Sequence, residues 1–323
     1  MDLKPTLDLA AVRKARSRLA PHIRHTPLVS THPLKEPIPG SEHLWLKLDC
    51  LQVSGSFKAR GAMNKLLSLP LETIQAGVIT ASGGNHGLAV AYAAWQAQVP
   101  ATIYLGHNTP PVKADKLRQW GAQVVMEGAV WDDANRAALA QAAATHLPYL
   151  HPFADPQVIA GQGTLALEIL EDLPEVDTLL VAIGGGGLIS GVALAAKTLR
   201  PDLTIIGVEA TGAPTLHSSL AAGRVVELPT VTTRANTLAP RKTEAINFDL
   251  IQRYVDDIVL VSDGEMAAAA RWLWFEMGVA AELSGAATVA ALLSGRYRPN
   301  PDHVLCALVC GAGTDGILAG DLW

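Results

Sequence analysis

The sequence predicts an α/β fold in which short buried strands of a parallel or mostly parallel sheet alternate with helices. Three observations predict it. Short apolar runs recur along the chain, each bounded by a turn. Between them lie amphipathic or alanine-rich stretches of the length that crossover helices need. Two strand-to-helix turns are rich in glycine, Ser82-Gly83-Gly84-Asn85-His86 and Gly184-Gly185-Gly186-Gly187. In such sheets ligands collect at the loops beyond the carboxyl ends of strands.

Taken in order, residues 7–20 read as an amphipathic helix. A Pro-rich passage follows (Pro21, Pro27, Pro33, Pro37, Pro39) and must be loop or extended structure. Residues 44–48 look like a short strand that delivers the chain to Ser54-Gly55-Ser56-Phe57-Lys58-Ala59-Arg60-Gly61. There a loop gives way to a helix: Ala59, Ala62, Met63, Leu66 and Leu67 recur at near-helical spacing, and Ser54 or Ser56 can cap the start. The strand 78–81, the turn 82–86 and an alanine-rich helix 87–98 come next, then strand 102–105, helix 111–120, strand 123–126 and helix 132–146. A helix over 156–170 precedes the strand 178–183, the four glycines and a helix ending near Leu199. Strand 204–208 has Glu209 just past its end, and residues 228–248 read as a long loop. Helices 263–277 and 287–293 lead to a last strand, 304–309. Trp272 and Trp274 lie two apart on a helix, so one belongs to the core and the other nearer the surface.

A chain of 323 residues, nearly half apolar and only 17% charged, is a compact globular protein with room for one large or two ordinary domains. Its net charge of −5 and lack of any basic run exclude a nucleic-acid binder. Cys50, Cys306 and Cys310 are too few and too scattered for a disulfide framework or a zinc site, which fits a reducing cytosol. Met1 leads into Asp2 and Lys4 with no apolar segment, so no signal peptide is expected. Residues 179–196 carry no charge and imitate a membrane span, but five of them are glycine, four in a row, and that run breaks the helix.

The chemistry-bearing residues follow from these turns. A helix start supplies free backbone N–H groups and the positive end of the dipole, a field that disfavours an ammonium. Lys58 is therefore biased toward the neutral amine that a nucleophile or Schiff base requires, against the ordinary reading of a solvated surface lysine. Four glycines between a strand and a helix form a phosphate or other anion cradle, whereas a tight turn accounts for only one or two of them. Ser82 to His86 combines a hydroxyl, glycine amides, an amide side chain and an imidazole, a nest suited to a substrate carboxylate, with an ordinary helix cap as the alternative. Gly311-Ala312-Gly313-Thr314-Asp315-Gly316 fits the dinucleotide spacing, but only seven residues remain, too few for the crossover helix. His22 and His25 have no carboxylate companion for a metal, and Asp256 and Asp257 read as turn or surface acids.

With these residues in place, the sequence resembles the serine/threonine dehydratase family of fold type II, tryptophan-synthase-β-like pyridoxal phosphate enzymes. The resemblance rests on Thr26-Pro27-Leu28, residues 54–61 and 82–87, His151-Pro152-Phe153 with Asp155, Gly161-Gln162-Gly163-Thr164, residues 184–188, Gly207-Val208-Glu209 and residues 281–286, in the family's order. It implies two open twisted, mostly parallel sheets flanked by helices, with residues 1–71 and 151–323 forming a large cofactor-binding domain and 72–150 a small one. It further implies that Lys58 is the Schiff-base lysine and catalytic base, with Phe57 against the cofactor ring and Asn85 bonded to the ring hydroxyl. Ser82, Gly83, Asn85 and His86 correspond to the substrate loop, Gly184, Gly185, Gly186, Gly187 and Leu188 to the phosphate loop, and Cys310 to the group facing the pyridine nitrogen. The family's Asp-Gly in the long loop reads Asn236-Thr237 here. For a divalent cation, Glu209 and Ala213 match the family's ligands, but Thr215 stands at the acid position, which puts a bound cation in question. The activity implied is a cytoplasmic, homodimeric ammonia-lyase that converts a β-hydroxy amino acid, L-threonine or L-serine by default, to a 2-oxo acid and ammonia. An amino-acid racemase, or a dehydratase of a less common β-hydroxy amino acid, is the alternative.

Overall fold

The computed structural model describes residues 7–318. Helix α1 (Leu9–Leu19) starts at Asp8, whose carboxylate accepts the Ala11 amide, and it buries Val12, Ala15 and Leu19 along one face. Strands β1 (Leu28–Ser30) and β2 (Leu44–Lys47) bracket most of the Pro-rich passage, α2 (Lys58–Leu67) opens at Lys58, and α3 (Leu71–Ile74) is a single turn. Strand and helix then alternate through β3 (Val78–Ala81), α4 (Asn85–Ala97), β4 (Ala101–Leu105), α5 (Pro111–Gln119), β5 (Gln123–Met126) and α6 (Trp131–Thr145). The same rhythm continues in α7 (Pro156–Asp172), β6 (Thr178–Ala182), α8 (Gly187–Leu199) and β7 (Thr204–Ala210). Helices α9 (Thr215–Ala221) and α10 (Ala245–Tyr254), strand β8 (Asp257–Val261), helices α11 (Asp263–Met277) and α12 (Ala287–Leu293), strand β9 (Leu305–Leu308) and helix α13 (Asp315–Leu318) complete the described chain.

The described residues divide into two compact units, 7–24 with 58–161 and 25–57 with 162–318. The first holds a three-stranded parallel sheet in the order β3-β4-β5, extended by a parallel bridge between Ile79 and Tyr149. The second holds a six-stranded sheet in the order β1-β2-β9-β6-β7-β8, parallel throughout except for the β1–β2 pair. Strands β3, β6 and β9 are buried at every position, the pattern of parallel strands covered by helices on both faces. Helix α8 is buried at each of its first ten residues. Both sheets are mostly parallel and flanked by helices, so the α/β expectation holds. Among the described residues, no helix is long and apolar enough to cross a membrane.

Several local expectations change. Helix α4 begins at Asn85, so Asn85 and His86 belong to its first turn rather than to the loop. Strand β7 is paired with β6 through Val208 and with β8 through Ala210, which keeps Glu209 inside the strand instead of past its end. Neither Ser54 nor Ser56 caps α2; both hydroxyls are buried without a hydrogen-bond partner. The long loop shortens, because a 3-10 turn forms at Asn236–Leu238 and α10 starts at Ala245. Trp272 is buried and Trp274 exposed, as their spacing requires.

Candidate active site

In the first unit, the loop-to-helix transition puts Lys58 at the first position of α2, where its Nζ donates to the Pro152 carbonyl at 2.7 Å. The segment that carries this carbonyl is fastened to β3: the Ile79 amide donates to Pro148 O and the Leu150 amide to Ile79 O. The Leu150 carbonyl accepts from Thr80 Oγ1 at 2.8 Å and from His86 Nε2 at 2.9 Å. A carbonyl only accepts, so His86 carries its proton on Nε2. Its Nδ1 lone pair is then buried with no hydrogen-bond partner. The His151 ring is set the other way round, Nδ1 accepting the amides of Ala154 at 2.8 Å and Phe153 at 3.2 Å. Burial, followed by the nearby Lys58 charge, pushes His86 down to about 3 and His151 down to about 4. Both imidazoles are therefore neutral near pH 7.

The turn from β3 into α4 is built on glycine. A Cβ on Gly87 would lie 2.0 Å from the Ser82 carbonyl oxygen, so the loop folds back on the helix only with glycine there. The Gly84 amide donates to Ser82 Oγ at 3.2 Å. Gly84 occupies the cap position without a side-chain cap bond. The ordinary-cap reading of this turn therefore fails. The start of a 13-residue helix is left with amides suited to an anionic ligand, and Ser82, Gly83 and Asn85 beside them are only partly buried.

The second unit contains the other glycine turn. Gly186 precedes α8 at φ +93°, with no side-chain cap. A Cβ on Gly184 would approach the Thr237 carbonyl oxygen to 2.5 Å. This packing holds the loop tight and leaves the amides of Gly187 and Leu188 at an uncapped helix start. The Gly185 carbonyl is fixed by Thr243 Oγ1 at 3.0 Å. Cys310, two residues beyond β9, is buried; its Sγ lies 3.8 Å from the Ser284 carbonyl and its own carbonyl accepts the Phe57 amide at 3.1 Å. Burial, reinforced by the Glu282 charge, raises the thiol well above its ordinary value, so it stays neutral. Thr237 Oγ1 and Ser284 Oγ are hydrogen-bonded to each other, and Ser284 Oγ donates to Glu282 Oε1 at 2.8 Å. Sequence reasoning noted Thr237 only as a departure; its hydroxyl ties the substituted loop to the segment that touches Cys310.

The oxygens matched to a divalent cation are engaged elsewhere. Glu209 Oε1 accepts the Leu216 amide and Oε2 the His217 amide, each at 2.8 Å, so the carboxylate caps α9. Burial pushes Glu209 up to about 8 against the pull of these amides. The Ala213 carbonyl accepts the Thr215 amide at 2.9 Å, and Thr215 Oγ1 donates to Pro240 O at 2.6 Å. Among the described residues, no group of three or more His, Cys, Asp or Glu could hold a metal ion. This donor set does not fit a divalent cation. The residues do fit pyridoxal phosphate: an uncapped helix start behind a glycine run suits its phosphate, and a lysine held at a helix start suits its aldehyde.

The L-threonine ammonia-lyase of Geobacter sulfurreducens is 39% identical over 94% of this chain and 75% of that protein. The L-threonine ammonia-lyase of Thermotoga maritima is 42% identical over 89% of this chain and 71% of that protein. The structure of maize serine racemase superimposes with a TM-score of 0.89 at 34% identity, covering 94% of this chain and 93% of that one. The family described as pyridoxal-phosphate dependent enzyme matches residues 19–311, and the chain belongs to it.

Proposed function

We propose that this chain is a pyridoxal-phosphate-dependent ammonia-lyase that converts a β-hydroxy amino acid, L-threonine or L-serine, to a 2-oxo acid and ammonia. The observation that carries the reading is the Lys58 amine, held by the Pro152 carbonyl at the start of α2 in a chain similar to L-threonine ammonia-lyases. Lys58 would hold the cofactor aldehyde, Gly184 to Leu188 its phosphate, and Asn85, Phe57 and Cys310 its ring. Bound there, pyridoxal phosphate supplies the electron sink for bond cleavage at the α-carbon.

The protein's own groups do the rest. Ser82, the glycine amides and the uncapped α4 start bind the substrate carboxylate. Once released, the Lys58 amine takes the α-proton, oriented by its hydrogen bond to Pro152 O. His86 and His151, held far below the ordinary imidazole range, are too weakly basic to compete for that proton. A protonated thiol at Cys310 would leave a facing pyridine nitrogen unprotonated, which limits charge build-up and favours β-elimination over transamination. The similarity to maize serine racemase supports a second reading, racemisation by reprotonation of the α-carbon on its opposite face. By family resemblance the enzyme is a cytoplasmic homodimer, which sedimentation of the purified protein would check.

An absorbance spectrum, followed by a screen of β-hydroxy amino acids for 2-oxo acid, ammonia and chirality, tests the reading. We expect a visible cofactor band and 2-oxo acid from threonine or serine, both lost in Lys58→Ala. Turnover that survives Lys58→Ala would sink the mechanism. Loss of optical activity without 2-oxo acid would favour the racemase.

A further inference from the structure

The Pro152 carbonyl that meets Lys58 belongs to a short turn with no regular secondary structure, so something must fix its direction. Upstream, the chain is tied to β3 through Pro148, Tyr149 and Leu150, with Thr80 and His86 both donating to the Leu150 carbonyl. Downstream, Asp155 caps α7 by accepting the Gln157 amide at 2.7 Å and pairs with Lys65 at 2.7 Å. Asn64 Nδ2 donates to the Gln157 carbonyl at 2.6 Å. Lys58 and Lys65 are seven residues apart on α2 and so share a face, and that face is fastened along residues 152–157. Between the anchors only residues 151–154 remain, and His151 closes them. Its Nδ1 accepts two successive amides, Phe153 and Ala154, and its ring stands edge-on to Phe153 with centroids 4.7 Å apart. An acceptor that gathers the amides two and three residues ahead is the geometry of an Asx turn, made here by an imidazole.

We propose that His151 is a positioning residue for Lys58: by gathering the Phe153 and Ala154 amides it aims the Pro152 carbonyl at the Lys58 amine and so orients that amine's lone pair. The inference rests on reading Lys58 as the reactive amine. Nδ1 can accept two donors only while unprotonated, so the device needs a neutral ring, and partial burial beside Lys58 keeps it neutral. The required property is the acceptor, not the imidazole. Asparagine places an amide oxygen at nearly the same point and can make the same turn, whereas phenylalanine keeps the ring packing and offers no acceptor.

The test compares cofactor-loaded wild type, His151→Asn, His151→Phe and Lys58→Ala. His151→Phe should lose about 10- to 100-fold in kcat, the scale of a small misplacement of a reacting group, with KM changed by less than about twofold. The pH at which its visible band converts should move, because that band reports the lysine. His151→Asn should keep kcat within about threefold of wild type and keep the spectrum, although its ring contacts with Phe153 and Tyr149 are gone. Wild-type kcat and spectrum in His151→Phe, or an impaired His151→Asn, overturn the proposal. If His151→Phe does not fold, His151→Asn alone decides it. Lys58→Ala separates the two levels: band and turnover both surviving there defeat the reading of Lys58, whereas their loss beside an unaffected His151→Phe defeats only the role of His151.

Discussion

His86 and His151 illustrate how much a single residue's surroundings decide. His86 is buried and His151 partly buried, and both are neutral, at about 3 and about 4 against an ordinary 6.5, so the folded state resists a proton that the unfolded chain accepts freely. Between those values and 6.5 the unfolded state binds more protons, so stability rises with pH and is lost as pH falls. The slope should approach about 1.4 kcal/mol per pH unit for each histidine. Urea midpoints of wild type and His151→Asn at pH 5.0 and 6.5 would check this: the variant should lose one histidine's share of the difference. Equal pH dependence in the two would show that His151 is not held neutral by the fold. The placement of Lys58 and of the four glycines at helix starts was legible from sequence, because in each case a loop-forming run gives way to helical spacing. The partners of Lys58 were not. Pro152 and His151 lie nearly a hundred residues downstream, and their function depends on a turn whose hydrogen bonds are made by an imidazole, a residue that carries no turn signal of its own.

At the level of elements, what matters at the glycine turn before α8 is how closely the neighbouring backbone approaches. Replacing Gly184 with alanine would put a Cβ 2.5 Å from the Thr237 carbonyl oxygen, which sits on the 3-10 turn Asn236–Leu238 and cannot rotate away as a side chain would. That turn is tied to Ser284 and Glu282 through the Thr237 hydroxyl, so displacing it disturbs the segment beside Cys310 as well. We expect Gly184→Ala to cost roughly 1–3 kcal/mol of stability, the usual scale of overpacking, and to weaken cofactor binding at least tenfold. Equilibrium dialysis of the apoprotein against pyridoxal phosphate measures the second effect; wild-type affinity would mean that the loop does not contact the cofactor. Strands β3 and β5 and helices α11 and α12 fall where the apolar pattern places them. Strand β1 is three residues on a sheet edge, too short for any period to show. Strand β8 opens on Asp257 next to Asp256, and two acids read as a turn; Asp256 in fact pairs with Lys197 and accepts the Ile205 amide, holding the start of an edge strand. Helix α9 was hidden because its cap comes from Glu209, inside β7, rather than from the residue immediately before it.

Neither unit of the whole molecule is a continuous piece of chain. The chain passes from one to the other at 24/25, 57/58 and 161/162, so the first unit is assembled from residues 7–24 and 58–161. Its N-terminal piece is a structural component and not a tail: Val12, Ala15 and Leu19 of α1 are fully buried. Arg18 donates to Asn64 Oδ1 at 2.5 Å, and the His22 carbonyl accepts from Tyr92 at 2.5 Å. Burying one Val or Leu side chain contributes roughly 1.5–3 kcal/mol, so removing α1 takes away several kcal/mol, comparable to the whole stability margin of many domains. It also exposes the side of α2, the helix that begins with Lys58, that α1 covers. A variant starting at His25 should therefore lose protease resistance within residues 58–161 while residues 162–318 stay protected, because their core contains nothing from the deleted piece. Limited proteolysis with mass mapping distinguishes the outcomes. Cleavage confined to residues 58–161, together with loss of the visible cofactor band, is expected if α2 needs α1 to present its lysine. Cleavage spread evenly over the chain would instead mean that the two units do not unfold separately, and an undisturbed digestion pattern would mean that α1 contributes little despite its buried face.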